Sequence, residues 1–142
     1  MQNLQILGYV LKKIEFEVND SAKTSKAFNI HPNVRFDMAL KGDLCRLSIK
    51  VSISKTEQLD TPFNLDVTLV GDFKIIRPIN IQEMTKEASE TLYPYARSSI
   101  SSLTTNANIP PYYLPFLDFD KITNSVSNST DQIKIRPLDE EI

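Results

Sequence analysis

The spacing of apolar residues changes partway along the chain, and this change limits the possible folds more than any other feature. Residues 47–53 place apolar side chains at odd positions with polar residues between them, and residues 34–40 and 63–75 keep the same period of two. This alternation is typical of strands with one buried face. After Arg77 and Pro78 the apolar residues recur at helical spacing. Strands followed by helices predict an α+β fold, with one antiparallel sheet and helices on one of its faces.

The first strand contains a change of phase that predicts a bulge. The odd positions are held by Leu7, Tyr9 and Leu11, and the even positions by Ile14, Phe16 and Val18. One extra residue in a strand shifts every later side chain to the other face. We therefore expect a β-bulge or a bend at Lys12 and Lys13.

Local signals place a turn, a helix start and two short C-terminal elements. Gly42 and Asp43 separate two alternating runs, which predicts a tight hairpin turn. Asn80, followed three residues later by Glu83, is typical of a helix start. Because Pro94 cannot donate a backbone hydrogen bond, it should kink this helix or begin a second one. A short helix is predicted over about residues 119–126, and residues 132–135 have the alternation of a small strand.

Composition excludes several functions. A net charge of −2 gives no basic face for nucleic acid, and no apolar run is long enough to span a membrane. The first residues lack the pattern of a secretory signal, and a single cysteine fits a reducing, cytoplasmic compartment. Three isolated glycines make a glycine-rich phosphate loop improbable. We expect one domain over residues 1–142, with a flexible tail over about 127–142.

Conventional catalytic and metal sites have weak support. Cys45 and His31 are the available nucleophile and base, but no signature of a thiol enzyme surrounds them, so a structural role is favoured. Asp118 and Asp120 flank Phe119 without the further ligands of a metal site, so they are interpreted as a helix cap. No metal, cofactor or catalytic residue is predicted.

The segment at residues 109–117 is unusually apolar for a loop. It contains six large apolar or aromatic side chains and three prolines. Loops are ordinarily polar and solvated. The segment must either cap the core or line an apolar groove whose shape the prolines hold. The residues alone favour the core cap slightly and leave both open.

Several of these parts occur in the order and spacing of a known family. Residues 92–97 read Leu-Tyr-Pro-Tyr-Ala-Arg, and Pro110, Leu114-Pro115 and Phe119-Asp120 follow. This arrangement resembles the C-terminal half of the SecB family of bacterial export chaperones, and the strands of the first half match in the same order. The resemblance implies a four-stranded antiparallel sheet with two helices packed on one face. It also implies a cytoplasmic homotetramer, a dimer of dimers paired through the first strand, which binds non-native polypeptides without ATP.

The resemblance also assigns residues. It implies that Pro94, Tyr95 and Arg97 form a structural motif, in which we expect Arg97 to satisfy carbonyls freed by Pro94 or to pair with Glu90. The implied client-binding groove consists of Phe36, Met38, Phe63, Leu65, Val67, Leu69, Ile109, Tyr112, Tyr113, Leu114, Ile122 and Val126.

The implied partner for export is the SecA motor, which would dock on Glu17 and Asp66. Lys13 stands where export members place an acidic residue, and the tail does not match their motor-binding tail, so we expect weak or no motor binding. Some family members serve toxin–antitoxin systems instead, which makes an antitoxin the alternative partner. A small-ligand carrier or enzyme and a structural subunit are the competing functions. The carrier would need a closed pocket with converging polar groups, which the sequence does not offer.

Overall fold

The computed structural model describes residues 2–19, 30–54, 61–120 and 133–137. In chain order, its elements are β1 (Leu4–Val18), β2 (Asn33–Lys41), β3 (Leu44–Ile53), β4 (Phe63–Ile75), α1 (Ile81–Asn106) and β5 (Ile133–Pro137). The predicted α+β fold is confirmed.

One sheet contains all the strands, in the order β1-β4-β3-β2-β5. The first four strands pair antiparallel, as predicted. The small strand predicted near residue 133 is also present, but it lies parallel to β2 and extends the sheet to five strands. The expectation of a sheet limited to four strands is corrected on this point.

The turn between β2 and β3 has the predicted form. Lys41 and Leu44 are register partners, which leaves Gly42 and Asp43 as a two-residue loop. Gly42 has φ +59° at the first loop position. Glycine adopts this left-handed conformation without steric cost. A two-residue turn with positive φ at this position matches the twist of the two strands.

Strand β1 has two irregularities where the sequence predicted one. Its register with β4 shifts between Leu11 and Lys13, which confirms the predicted bulge, and it shifts again between Ile6 and Gly8. The second shift also had a signal, because Leu4 and Ile6 hold the even phase and Tyr9 holds the odd phase. Both shifts add one residue on the β1 side, so the pairing offset changes by two in total and both ends of β1 present the same parity to the core.

The core lies between one face of the sheet and α1. The odd residues of β3 and β4 and the even residues of β2 are buried on this face. A Cβ placed on Gly71 would lie 2.8 Å from Leu92 Cδ1, closer than side chains pack. Glycine on β4 therefore lets α1 cross close to the sheet at Leu92.

Helix α1 starts and ends on identifiable caps. Asn80 is the N-cap, and its side chain accepts a hydrogen bond from Glu83 N at 2.8 Å, as the sequence predicted. At the other end, Asn108 has φ +62°, and Ile109 N donates to Thr104 O. A residue with positive φ just after the end of a helix is usually glycine, and asparagine is the common alternative.

Pro94 lies inside α1 and neither ends it nor begins a second helix. Pro94 and Glu90 are both exposed, so water can reach the carbonyl that the proline leaves without a donor. Ile81 and Tyr95 follow the helical spacing of apolar residues, yet each is 39% exposed. Instead, Tyr93, Ala96 and Ile100 are buried.

The described residues include one long helix where two helices were expected. Phe119 and Asp120 are helical, at the position where the second was predicted to begin. The rest of that predicted helix, with Ile122 and Val126, lies outside the described residues, as does most of the predicted flexible tail.

Candidate functional site

Besides the helix-cap bond from Ile109 N, three hydrogen bonds that involve side chains tie the proline-containing segment 109–117 to α1. The three acceptors are a hydroxyl in the last turn of the helix and two consecutive carbonyls of the segment. The bonds join Tyr112 N to Thr104 Oγ1 at 2.9 Å, Arg97 Nε to Leu114 O at 2.8 Å, and Tyr93 Oη to Pro115 O at 2.6 Å. Because prolines also restrict its backbone, the segment is held in one shape.

The two faces of this segment differ in exposure. Leu114 is 1% exposed, and Ile109, Tyr112 and Leu117 pack against the core. Tyr113 is 61% exposed and Phe116 85% exposed. The two alternatives left open by the sequence therefore apply to different residues: the inner side chains cap the core, and the outer side chains present apolar surface to solvent.

Aromatic contacts connect the segment to the sheet below it. Tyr112 packs on Phe63 with ring centroids 6.0 Å apart, and Phe63 stacks on Phe16 at 5.4 Å. A second group joins Phe36, Tyr93 and Phe119, with centroid distances of 5.6 to 6.4 Å. Burial raises the pKa of Tyr93 to about 12, so its hydroxyl remains a donor at neutral pH.

Arg97 contacts the segment and not the partners expected for it. Its Nε donates to Leu114 O, and its Cζ lies 4.1 Å from the ring centroid of Phe116, within the range of a cation–π contact. Glu90 forms its ion pair with Lys86 instead. The expected partners, Glu90 and the carbonyls near Pro94, were therefore wrong. Tyr95, also part of the motif, stacks on Tyr9 of β1 with ring centroids 4.4 Å apart.

The strand residues assigned to a groove lie beneath this segment and α1. None of the six is more than 3% exposed in the chain by itself. They are Phe36, Met38, Phe63, Leu65, Val67 and Leu69. Of the segment residues assigned with them, Leu114 is buried, Ile109 and Tyr112 are half-buried, and Tyr113 is exposed. The described part of the set is therefore mostly buried in the single chain, with Tyr113 as its one exposed member.

The opposite face of the sheet carries Glu17 and Asp66, the residues assigned to motor docking. Both line an open depression of about 680 Å³. Lys13 Nζ lies 2.8 Å from Asp66 Oδ2, and this hydrogen bond raises the pKa of Lys13. Arg35 and Lys50 are register partners on the same face, and both are exposed. This face is therefore mixed in charge, not uniformly acidic.

The residues considered for chemistry are far from a reactive arrangement. Cys45 is 1% exposed, its Sγ lies 3.2 Å from Met38 Sδ, and burial raises its thiol pKa to about 12. Asp118 Oδ1 accepts a hydrogen bond from Asp120 N at 3.1 Å, which confirms the helix-cap interpretation. Asp120 also pairs with Lys86 at 2.8 Å.

The part of the chain that the structure describes holds no group of three or more metal-ligating side chains. Nor does any described helix combine the length and apolarity that crossing a membrane requires.

Sequence reasoning missed Thr104, Tyr93 and Glu87 as positioning residues. Thr104 and Tyr93 hold the segment, and Glu87 Oε2 accepts a hydrogen bond from Leu4 N at 2.6 Å, which anchors the start of β1 to α1. A threonine near a helix end and a tyrosine beside a proline are too common to stand out. These roles depend on contacts between residues far apart in the chain.

Comparison with known proteins gives a consistent result. The family model described as Preprotein translocase subunit SecB matches residues 1–129. Uncharacterized protein MJ0357 of Methanocaldococcus jannaschii is 29% identical over 119 residues, which are 79% of this chain and 77% of that protein. Protein-export protein SecB of Actinobacillus succinogenes is 27% identical over 129 residues, covering 84% of this chain and 77% of that one.

A solved structure shows the same fold. It is the Mycobacterium tuberculosis Rv1957 SecB-like chaperone in complex with a ChAD peptide from the Rv1956 HigA1 antitoxin. The TM-score is 0.59 at 19% identity, and the match covers 81% of this chain and 91% of the other. Together with the family match over most of its length, this places the chain in the SecB family of chaperones.

Proposed function

We propose that this protein is an ATP-independent holdase that binds non-native polypeptides and catalyses no reaction. The observation that carries the proposal is the exposure of Tyr113 and Phe116 on a segment fixed by three hydrogen bonds. Exposed aromatic side chains offer large apolar area to a client, and each buries about 150–250 Å² when covered. The clients are apolar stretches of unfolded chains.

The rigidity of the segment supports this role. A surface that is already ordered loses little conformational entropy when a client binds, so more of the contact free energy becomes affinity. The inner residues Tyr112 and Leu114 hold this shape, and the outer residues Tyr113 and Phe116 make the first client contacts. Aromatic side chains without a closed pocket also tolerate many client sequences, as a general chaperone requires.

The proposed assembly is a cytoplasmic homotetramer built from two dimers. Strand β1 lies at one end of the sheet order and carries six exposed large apolar side chains. These are Ile6, Leu7, Tyr9, Val10, Ile14 and Val18. A long strand edge that exposes apolar side chains favours pairing with a second chain. Pairing through β1 would join two sheets, and helix packing would join the dimers.

Two observations bear on the choice between an export partner and an antitoxin. A related chaperone of the same fold is solved with an antitoxin peptide. In this chain, Lys13 neutralises Asp66 on the face assigned to the motor. We therefore propose a dedicated client, such as an antitoxin, as the second candidate function, and weak or absent binding to SecA.

An aggregation assay tests the holding function. The wild-type chain should slow aggregation of a chemically unfolded client without nucleotide. The double variant Tyr113→Ser with Phe116→Ser should lose most of this effect, while circular dichroism and oligomer size stay unchanged. Tyr112 is left intact because it packs on Phe63, and its loss would affect the core.

A matched control removes two exposed apolar side chains elsewhere. Leu44 and Ile76 are 39% and 47% exposed and lie outside the segment. The variant Leu44→Ser with Ile76→Ser should hold clients normally. Equal losses of holding activity in both double variants would show that any exposed apolar area supports holding. Normal holding by the segment variant would reject the proposed site.

A further inference from the structure

The edge of β2 is covered by the chain's own C-terminal strand. Strand β5 pairs in parallel with β2, in register from Phe36 opposite Ile133 to Leu40 opposite Pro137. Without β5, β2 would end the sheet order and present unpaired backbone N–H and C=O groups. Such an edge is a ready site for any extended polypeptide.

Several features of β5 make it replaceable by another extended strand. The strand has five residues and ends in Pro137, which has no backbone N–H to donate. Parallel pairing is also slightly less stable per residue than the antiparallel pairing of the other four strands. A short, parallel terminal strand is therefore the least strongly held member of this sheet.

The register between β5 and β2 indicates which sequences suit the edge. Ile133 and Ile135 occupy the positions opposite Phe36 and Met38. Between them, Lys134 is opposite Asp37, an acidic residue that is only 9% exposed. Opposite charges at directly paired positions stabilise strand pairing, and like charges destabilise it. The edge therefore selects an extended segment with an apolar, basic, apolar sequence.

Buried side chains connect β2 with the proposed client site. Phe36 of β2 packs against Tyr93 with ring centroids 6.4 Å apart. Tyr93 in turn donates its hydroxyl hydrogen bond to Pro115 O, in the segment that exposes Tyr113 and Phe116. A hydrogen bond and an aromatic contact, both made by the buried side chain of Tyr93, therefore connect β2 to the segment that carries the exposed aromatics.

We propose that β5 is an internal competitor, which occupies the β2 edge until an extended client segment with an apolar, basic, apolar sequence replaces it as the fifth strand. This inference rests on the proposed holding function and adds the regulation and sequence preference of that site. A tethered competitor acts at an effective concentration that is millimolar for a short linker, so it weakens only clients that use the same edge.

A peptide with the sequence of residues 131–137 provides the direct test. Labelled with fluorescein, it is titrated by anisotropy against the full chain and against a variant that ends at Thr130. We expect the shortened chain to bind this peptide at least about tenfold more tightly than the full chain does, because the tethered copy is gone. Control peptides carrying Ile133→Ser with Ile135→Ser, or Lys134→Glu, should bind much more weakly.

A full-length variant covers the case in which the shortened chain aggregates. Lys134→Glu places a like charge opposite Asp37 and should release β5 without removing residues. Its affinity for the wild-type peptide should rise toward that of the shortened chain. Equal peptide affinity in the wild-type, shortened and Lys134→Glu chains would overturn the proposal, as would equal binding of the three peptides.

The holding function and the competitor fail in different ways. Anisotropy with an unfolded client should show tighter binding to the shortened chain, and the wild-type peptide should displace that client. Peptide binding without client binding would reject the holding function. Client binding that depends on Tyr113 and Phe116 but is unchanged by shortening would reject the competitor alone.

Discussion

At the residue scale, Arg97 and Tyr93 hold two consecutive carbonyls of the segment 109–117. They are 17 and 22 positions from their acceptors in sequence. Prolines in the segment lack N–H groups, and the carbonyls of Leu114 and Pro115 take their hydrogen-bond donors from side chains of α1. The shape of the exposed aromatic surface is therefore set by residues that do not themselves contact a client.

Replacing Arg97 should lower the free energy of unfolding. Arg97→Ala removes the hydrogen bond to Leu114 O and the contact with Phe116, and we expect a loss of about 1–2 kcal/mol in the free energy of unfolding. Arg97→Lys, which keeps the charge but not the planar group, should recover part of it. Urea denaturation measures both. An unchanged midpoint together with lost client affinity would assign Arg97 to client contact.

Cys45 should be inert in the folded protein. Burial raises its pKa from the ordinary value of 9.0 to about 12, so the folded chain keeps the thiol proton over a range in which the unfolded chain loses it. Its contribution to stability is therefore constant below about pH 9 and falls as pH rises toward 12. A thiol reagent at pH 8 should react only after unfolding.

The control for this titration is Cys45→Ala. Because the raised pKa of Tyr93 also reduces stability in alkali, the variant should retain part of the decline in stability and lose the part due to Cys45. Rapid labelling of the native wild-type thiol at pH 8 would contradict the buried assignment.

At the element scale, the segment 109–117 performs two tasks with alternate side chains. Leu114 faces the core, and Tyr113 and Phe116 face solvent. The prolines and the three hydrogen bonds keep these two sets apart. The segment is therefore comparable to a strand with one buried and one exposed face, although it has no strand hydrogen bonds.

Single substitutions should separate the two tasks. Leu114→Ala creates a cavity in the core and should cost about 2–4 kcal/mol of unfolding free energy. Tyr113→Ala removes an exposed side chain and should change stability by no more than about 0.5 kcal/mol. Chemical denaturation measures both, and client titration should show the opposite order of effects. Similar stability losses at the two positions would contradict the two-faced arrangement.

At the scale of the whole molecule, one end of the sheet is covered by the chain itself and the other end is exposed. Strand β5 covers the β2 end, and β1 at the other end exposes Leu7 and Val10 at 55% and 57%. In the proposed assembly, a second chain buries this apolar edge. The face of the sheet away from α1 is polar, with ion pairs between Lys13 and Asp66 and between Arg46 and Asp72.

Assembly should depend on the β1 edge. Light scattering after size exclusion should give a homotetramer at micromolar concentration. Leu7→Lys with Val10→Lys places charges on the edge and should shift the chain toward smaller species, as edge lysines do in natural sheets. Leu44→Lys, an exposed apolar position on β3, is the control and should leave the tetramer intact. A monomeric wild-type chain across this range would reject the proposed assembly.

Binding to a SecA motor should be weak or undetectable by titration calorimetry. Lys13 neutralises Asp66 on the docking face, and misplaced charge chiefly reduces specificity and association rate. Lys13→Glu should strengthen binding at low salt, whereas Lys86→Glu, on the helix side, should not. A sub-micromolar, salt-sensitive complex of the wild-type chain with the motor would reject this prediction and favour an export role.

Sequence patterns by themselves determined the parts of this protein that depend on neighbouring residues. Alternation located β2, β3 and β4, Gly42 marked the hairpin, and Asn80 with Glu83 marked the start of α1. The phase change at Lys12 located one bulge. These features follow from backbone geometry over a few residues, so a single sequence is sufficient to predict them.

Only the tertiary structure decided which of the candidate site residues face solvent. Alternation showed that Phe36 and Phe63 share a parity with apolar neighbours, but not that α1 and the segment bury both. The partner of Arg97 and the parallel pairing of β5 with β2 join residues that are far apart in the chain. Such contacts depend on how whole elements pack, because burial and pairing are properties of the assembled sheet and helix, not of any local run of residues.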